Sequence, residues 1–285
     1  MDERPVLSVI TVCYQAEKEI RRTIESVLNQ TFTDYEYIFK DGGSADRTNE
    51  IIESYKPRFE EKGIRVTHVS ARDRGLYWAM NEATRMAKGT WLSFLNAGDY
   101  YFGPNVLTQV FSREYTETVV YGNTVEVEAG IPYHLEGDIT WIREKSLICH
   151  QSSFIRRDWM TEAGYNTEYR IAADYDFFLK TFMAGKKFYK LNQYISVFIK
   201  DGVSSTNEKD RVLETENIRA SYRLINPDSE EYRKKMQMAQ LKQAILDHTP
   251  KGFSDFLRKI RRIMRGMNQK ADLEDQDTFY HKGGV

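Results

Sequence analysis

The chain has 285 residues, 41 Lys plus Arg against 42 Asp plus Glu, 41% hydrophobic and 13% aromatic content, and a mean hydropathy of −0.60. That length can bury a substantial core in one large domain or slightly more, and a net charge of −1 excludes a dedicated nucleic-acid binder. No apolar run approaches the roughly 20 residues of a membrane span, and only two cysteines, Cys13 and Cys149, exclude a disulfide framework and fit a reducing compartment.

Val6–Cys13 (VLSVITVC) is a short, β-branched apolar run of the kind that forms a strand covered on both faces. Ile20, Ile24, Val27 and Leu28 follow at helical spacing. Tyr35–Lys40 is strand-like and stops at Asp41-Gly42-Gly43-Ser44. Arg47–Tyr55 reads as a helix ending ahead of Pro57. Ile64–Val69 is a third strand, Leu76–Ala87 a third helix and Thr90–Leu95 a fourth strand. Strands alternating with helices of this length predict right-handed βαβ units and a parallel sheet. The fold class is α/β.

Past Pro104 the alternation changes. Val119–Val127 (VVYGNTVEV) alternates apolar and polar positions and predicts an antiparallel strand or hairpin. Ile148–Ile155 and Phe188–Ile199 read as further strands, and Asp174–Ala184 as a helix with Phe177, Phe178, Phe182 and Met183 on its apolar face. From Glu208 the pattern is helical. Glu231–His248 is a charged amphipathic helix, and Phe253–Met264 carries an apolar stripe with Arg258, Lys259, Arg261 and Arg262 mostly off it. A stripe of that kind suits docking on the main domain, a homodimer contact, or reversible attachment to an anionic membrane face through 253–265. The expected division is a main α/β domain over 1–207, with halves at 1–103 and 104–207, then a helical extension over 208–268. A polar tail, 269–285, is expected to be disordered. The first residues, Met1-Asp2-Glu3-Arg4-Pro5, have no charged-then-apolar leader, so a cytoplasmic protein is expected.

In an open α/β sheet, ligands bind beyond the carboxyl ends of the strands. Here the successive strand ends carry Tyr14-Gln15, Asp41 to Asp46, Arg72-Asp73-Arg74-Gly75 and Asn96-Ala97-Gly98-Asp99. An aromatic, several carboxylates, arginines and glycines in register suit a ligand with a flat base, hydroxyls and phosphates. Tyr14 can stack on the base, and Asp41 can accept from an imide or ribose hydroxyl. Gly42 and Gly43 allow close backbone approach, and Arg72 or Arg74 suits a diphosphate. Asp99 can hold a divalent cation. The glycine-rich signatures of dinucleotide and P-loop sites, and the GxSxG elbow, do not occur. The five histidines show no metal-ligand spacing.

The stretches SVITVCYQ (8–15), SVLNQTF (26–32), KDGGSADRT (40–48), DRGLYWAMNEA (73–83), GTWLSFLNAGD (89–99), CHQSSFIRR (149–157) and AADYDFFLK (172–180) occur in that order. Together they resemble family 2 glycosyltransferases, the inverting, nucleotide-sugar-dependent enzymes of the class A glycosyltransferase fold. The resemblance covers roughly residues 5–205. It implies a Rossmann-like nucleotide-binding half, a mixed central sheet, and transfer from a nucleotide diphosphate sugar, UDP favoured by analogy, to a glycan or lipid-linked sugar hydroxyl. Surface polysaccharide, O-antigen or capsule assembly is the family's usual setting, which would put the enzyme at the inner membrane face.

Residue by residue, the resemblance implies nucleotide contacts from Thr11, Tyr14, Asp41, Asp73 and Arg74, and a Mn or Mg contact from Asp99. It implies sugar contacts from Asn96, His150 and Gln151, and a general base in Asp174. Two departures stand out. Asn96-Ala97-Gly98-Asp99 keeps one carboxylate where the family's metal motif has more, which should weaken cation binding until the diphosphate adds its charge. Ala173 replaces the acidic neighbour of the base, which leaves Asp176 as an alternative to Asp174. A sugar-phosphate nucleotidyltransferase would need a glycine-rich, basic N-terminal signature that Tyr14-Gln15-Ala16-Glu17 does not supply. A catalytically inactive nucleotide-sugar-binding scaffold has only the thinned metal motif in its favour.

Overall fold

The apolar runs of the first hundred residues become strands because each is covered on both faces. In the computed structural model, which describes residues 4–128, 130–200 and 208–248, β1 (Leu7–Cys13), β2 (Tyr35–Asp41), β3 (Val66–Ser70) and β4 (Trp91–Phe94) are parallel, in the order β3-β2-β1-β4. Side chains alternate along them. Leu7, Val9, Tyr37, Phe39 and Trp91 share one core layer with residues of α1 (Ile20–Leu28) and α2 (Thr48–Glu60). Ile10, Val12, Ile38, Leu92 and Phe94 share the other with α3 (Leu76–Met86) and later helices. Each fully buried side chain of this size contributes roughly 1.5–3 kcal/mol.

Strand order reverses at β1: the chain moves outward through β2 and β3, then returns to β4 on the other side of β1. Such a switch point leaves a crevice beyond the carboxyl ends of the two central strands. Tyr14 and the Asn96–Asp99 turn flank it.

The second half completes a mixed sheet, as the changed alternation predicts. β8 (Ser153–Arg156) runs antiparallel to β4, and β6 (Val119–Glu128) antiparallel to β8. β9 (Phe188–Ile199) is parallel to β6, and β5 (Tyr100–Tyr101) antiparallel to β9. β7 (Ile131–Leu135) closes a hairpin on β6. The helices of this half are α4 (Val106–Val110), α5 (Arg157–Ala163) and α6 (Ala173–Met183). Two more, α7 (Glu208–Ser221) and α8 (Glu230–Asp247), follow. α7 is packed into the second core layer by Ile218, which is fully buried.

Two local expectations fail. α2 does not stop before Pro57 but runs through it to Glu60. Proline removes one donor and crowds one carbonyl, yet Tyr55 and Phe59, four apart and both buried, hold the last turn against the core. Ile148–Ile155 is not one strand, because His150–Ser152 forms a 3-10 turn and β8 begins only at Ser153. The Ser152 hydroxyl bonds Thr124 Oγ1 and Ser196 Oγ, each at 2.7 Å, and the Asn123 carbonyl at 3.1 Å. Those bonds draw the segment inward, away from a ladder.

Among the described residues no helix is long and apolar enough to cross a membrane. The basic stripe of 253–265 and the tail of 269–285 lie outside the described residues.

Candidate active site

Tyr14 follows β1 directly and is 65% exposed, the most exposed of the large hydrophobic residues described. Its ring is therefore open to a flat ligand. Gln15 beside it has φ of +52°, an uncommon backbone state for a residue other than glycine. Its amide donates to Ser44 Oγ at 2.8 Å, which ties the end of β1 to the turn after β2.

That turn is built by Asp41. Its Oδ2 accepts from the amides of Gly43 (3.0 Å) and Ser44 (2.8 Å), from Asn49 Nδ2 (3.1 Å) and from Ser70 Oγ (2.6 Å), and its Oδ1 from the Ser44 hydroxyl. Burial acts to raise its pKa, but the bonds from Ser44, Ser70 and Asn49 outweigh it and hold the carboxyl below its ordinary value. Gly43 takes φ of +84° to bring its amide round. Asp41 thus organises the pocket wall, with both oxygens engaged inside the protein.

Thr11 is fully buried, donating to the Leu95 carbonyl at 2.7 Å and sharing a 2.9 Å bond with Tyr37 Oη. It links β1 to β4 and β2, and is not brought to the rim. Lys40, 1% exposed, donates to the carbonyls of Asp41 (3.2 Å) and Ala71 (2.7 Å) and sits 3.9 Å from Asp73. It clamps the loop after β3 onto β2, a role not anticipated from sequence. A Cβ on Gly42 would lie 2.9 Å from Asp73 Oδ2 and 3.2 Å from the Tyr14 ring, so Tyr14, Gly42 and Asp73 meet at one point. Arg74 is exposed and lies 5.0 Å over the Trp78 ring.

The second group gathers where β4 ends. Asp99, 4% exposed, accepts from Gln151 Nε2 at 3.1 Å and from the Ile199 amide at 3.2 Å. Burial pushes its pKa up to about 7, against the pull of His150 and of these two donors. Asn96 Nδ2 lies 3.2 Å from His150 Nε2, and His150 Nδ1 lies 3.4 Å from Asp174 Oδ2. The ring thus bridges the Asn96 carboxamide and the Asp174 carboxylate. Asp174 Oδ1 accepts from the Tyr175 amide at 2.8 Å and lies 3.4 Å from Tyr77 Oη. Two polar sets, Asn96–His150–Asp174 and Gln151–Asp99, therefore lie side by side, joined through the chain neighbours His150 and Gln151 and the Asn96–Asp99 turn.

Asp176 belongs elsewhere. It is 4% exposed, 4.0 Å from Lys180 and 3.3 Å from Tyr222 Oη, and burial raises its pKa. Tyr77 is an addition. Its ring is core, as its helical spacing implies, but its hydroxyl reaches both Asp174 and the Ile171 carbonyl (2.9 Å). Its place in the first turn of α3, directly after the Asp73–Gly75 strand end, was the available signal.

A cation would find the Asp99 carboxylate and Asn96 Oδ1, which is buried and has no hydrogen-bond partner among the described residues. Both are hard oxygen donors of the type Mg or Mn takes. Among the described residues no group of three or more His, Cys, Asp or Glu is placed to hold a metal. The donor set fits, but sparsely, and needs oxygens from a diphosphate.

The sequence profile described as "Glycosyl transferase family 2" matches residues 8–160. The chain belongs to that family. It is a nucleotide-sugar glycosyltransferase. A "PGL/p-HBAD biosynthesis glycosyltransferase" of Mycobacterium bovis is 33% identical over 182 residues, covering 62% of this chain and 70% of that protein. Among solved structures, residues 1–349 of TarS from S. aureus, in complex with UDP, superpose with a TM-score of 0.60 at 21% identity, covering 96% of this chain and 77% of that one. The chain spans 47% of the longer TarS chain. The mannosyltransferase PcManGT from Pyrobaculum calidifontis, in complex with GDP-Man and Mn2+, superposes with a TM-score of 0.61 at 14% identity, covering 92% and 81%. At these identities the superpositions establish the class A glycosyltransferase-like fold.

Proposed function

We propose that this glycosyltransferase inverts the anomeric centre, taking a hexosyl or N-acetylhexosaminyl group from a nucleotide diphosphate sugar, UDP favoured, with Asp174 as general base. The observation that carries the reading is the His150 bridge. Through it Asp174, at the start of α6, joins Asn96 at the strand end where the diphosphate is expected.

Asp174 accepts the proton of the attacking acceptor hydroxyl. The new C1–O bond forms as the C1–O bond to phosphate breaks, and the nucleoside diphosphate leaves with the electron pair. The base stacks on Tyr14, and the Asp41 turn shapes the nucleoside wall. Asp73 and Arg74 line the diphosphate, with Gln151 and His150 beside the sugar. Asp99 and Asn96 would hold a divalent cation, which when bound supplies positive charge to the departing diphosphate. The acceptor is a glycan or lipid-linked sugar, and the enzyme works at the cytoplasmic face of a membrane in surface-glycan assembly. The mycobacterial relative, whose name is that of a biosynthetic glycosyltransferase, supports a biosynthetic role.

Release of nucleoside diphosphate from a panel of donors, with and without Mn, tests the assignment. Asp174→Asn should lose 10²–10⁴-fold in turnover, the usual contribution of a general base, while Asp176→Asn stays within about threefold. Asp99→Ala should lose the Mn dependence. Full turnover in Asp174→Asn with loss in Asp176→Asn would reverse the base assignment.

A further inference from the structure

Besides the Tyr222–Asp176 bond and the packing of Ile218, the helical extension reaches the lead-in to the base-bearing helix through a carboxylate. Glu214, on α7, accepts from three successive backbone amides: Arg170 N on Oε1 at 2.9 Å, then Ile171 N at 2.9 Å and Ala172 N at 2.8 Å on Oε2. Ala172 is the residue before α6 and brings no side-chain cap of its own. Asp174 lies two residues further on. Arg170 and Ile171 precede the helix and Ala172 is its N-cap, so none of the three amides has a carbonyl partner within α6, and the carboxylate supplies one. Its negative charge also suits the positive end of the helix dipole.

The same peptide segment is gripped from its other side. Tyr77 Oη donates to the Ile171 carbonyl at 2.9 Å and lies 3.4 Å from Asp174 Oδ1. The lead-in to α6 is thus fixed between α3, in the nucleotide-binding half, and α7, in the extension. We propose that Glu214 is a positioning residue for Asp174, fixing the backbone of residues 170–172 so that the Asp174 carboxylate meets His150 and the acceptor hydroxyl. This rests on the reading of Asp174 as the base.

The consequence is that α7 serves catalysis rather than only packing. A neighbour on the same helix gives the contrast: the hydroxyl of half-buried Thr215 bonds the Arg211 carbonyl within α7. Glu216, by comparison, is engaged with Arg219 at 2.8 Å, away from the α6 lead-in.

The test is a double-mutant cycle in the full chain, reading kcat, the dissociation constant of the donor nucleotide and the melting temperature. Glu214→Ala should cut kcat about 10- to 100-fold, as a displaced catalytic group does, with nucleotide affinity within about twofold of wild type. In an Asp174→Asn background it should add no further loss, because its effect passes through that side chain. Glu214→Asp, which keeps the charge one methylene shorter, should recover part of kcat, and Thr215→Ala should match wild type. An equal loss from Glu214→Ala in both backgrounds, or a parallel loss of nucleotide affinity, would overturn the proposal. Wild-type turnover in Asp174→Asn would instead remove the base assignment, and the proposal with it, whatever Glu214→Ala does.

Discussion

Asp41 shows how much a single carboxylate can organise. Four donors converge on Oδ2 alone. Asp41→Asn would turn an NH2 toward donors, or leave them unpaired after rotation, and should destabilise the protein by about 3 kcal/mol. Because the folded pKa lies below the ordinary value of 3.8, the ionised group's contribution is fully present above that pH. It is lost as pH falls through the lower folded value. Denaturant midpoints from pH 7 to pH 2 should show an acid-side fall in wild type that is shallower in Asp41→Asn. Parallel curves would contradict it.

Asp99 has the opposite sign. Burial raises its pKa from 3.8 to about 7, so the folded state holds its proton more tightly than the unfolded chain. In chelator, this residue should cost stability progressively as pH rises from about 4 through 7, on the order of 4 kcal/mol at the upper end. Asp99→Asn should therefore melt several degrees above wild type at pH 8, with the gap closing toward pH 4. A wild-type protein that melts higher at pH 8 would show that the carboxylate is not held against its charge.

Among the elements, the turn after β2 and the loop after β3 act as a pair, joined by buried Lys40 and by the absence of a side chain at Gly42. Gly42→Ala would press a methyl against Asp73 Oδ2 and the Tyr14 ring. Both are side-chain ends that can move, so stability should change by under about 1 kcal/mol. The donor site, however, should lose about tenfold in nucleotide affinity, or about 1.4 kcal/mol. Titration calorimetry with UDP reads this directly. Unchanged affinity would mean that Tyr14 and Asp73 do not line the nucleotide.

The elements also show what was legible beforehand. The strands and helices of the first half follow from period and β-branching, and α6 from its Phe177, Phe178 and Phe182 spacing. Pro57 misleads because local propensity ends a helix that Phe59 extends. The Ile148–Ile155 run misleads because its apolar ends hide three polar residues whose bonds, from Ser152 above all, are long-range. For the same reason Asp41 was readable as a strand-end polar residue, and Thr11 as a nucleotide contact only through the resemblance, but neither as a residue whose carboxylate or hydroxyl is occupied within the protein. Tyr77 and Lys40 act through contacts made only when α3 and the loop after β3 have packed.

At the scale of the whole molecule, the mixed sheet divides the work. The parallel part and its switch point offer the nucleotide wall. The 3-10 turn before β8 and the end of β9, from the second half, close on Asp99 and Asn96 through Gln151, His150 and Ile199, and α6 joins them through Asp174. The two halves therefore meet around Asp99, Asn96 and His150, and α7 bonds the lead-in to α6 through Glu214.

The central claim, that the strand ends and Asp174 surround one activated sugar, is tested most directly by a structure of the protein with UDP and Mn. The account predicts uracil against Tyr14, the diphosphate beside Asp99 and Asn96, and the Asp174 carboxylate on the far side of the β-phosphate from the nucleoside. Nucleotide bound away from Tyr14 and Asp99, or Asp174 separated from the β-phosphate by more than the width of a sugar ring, would contradict it.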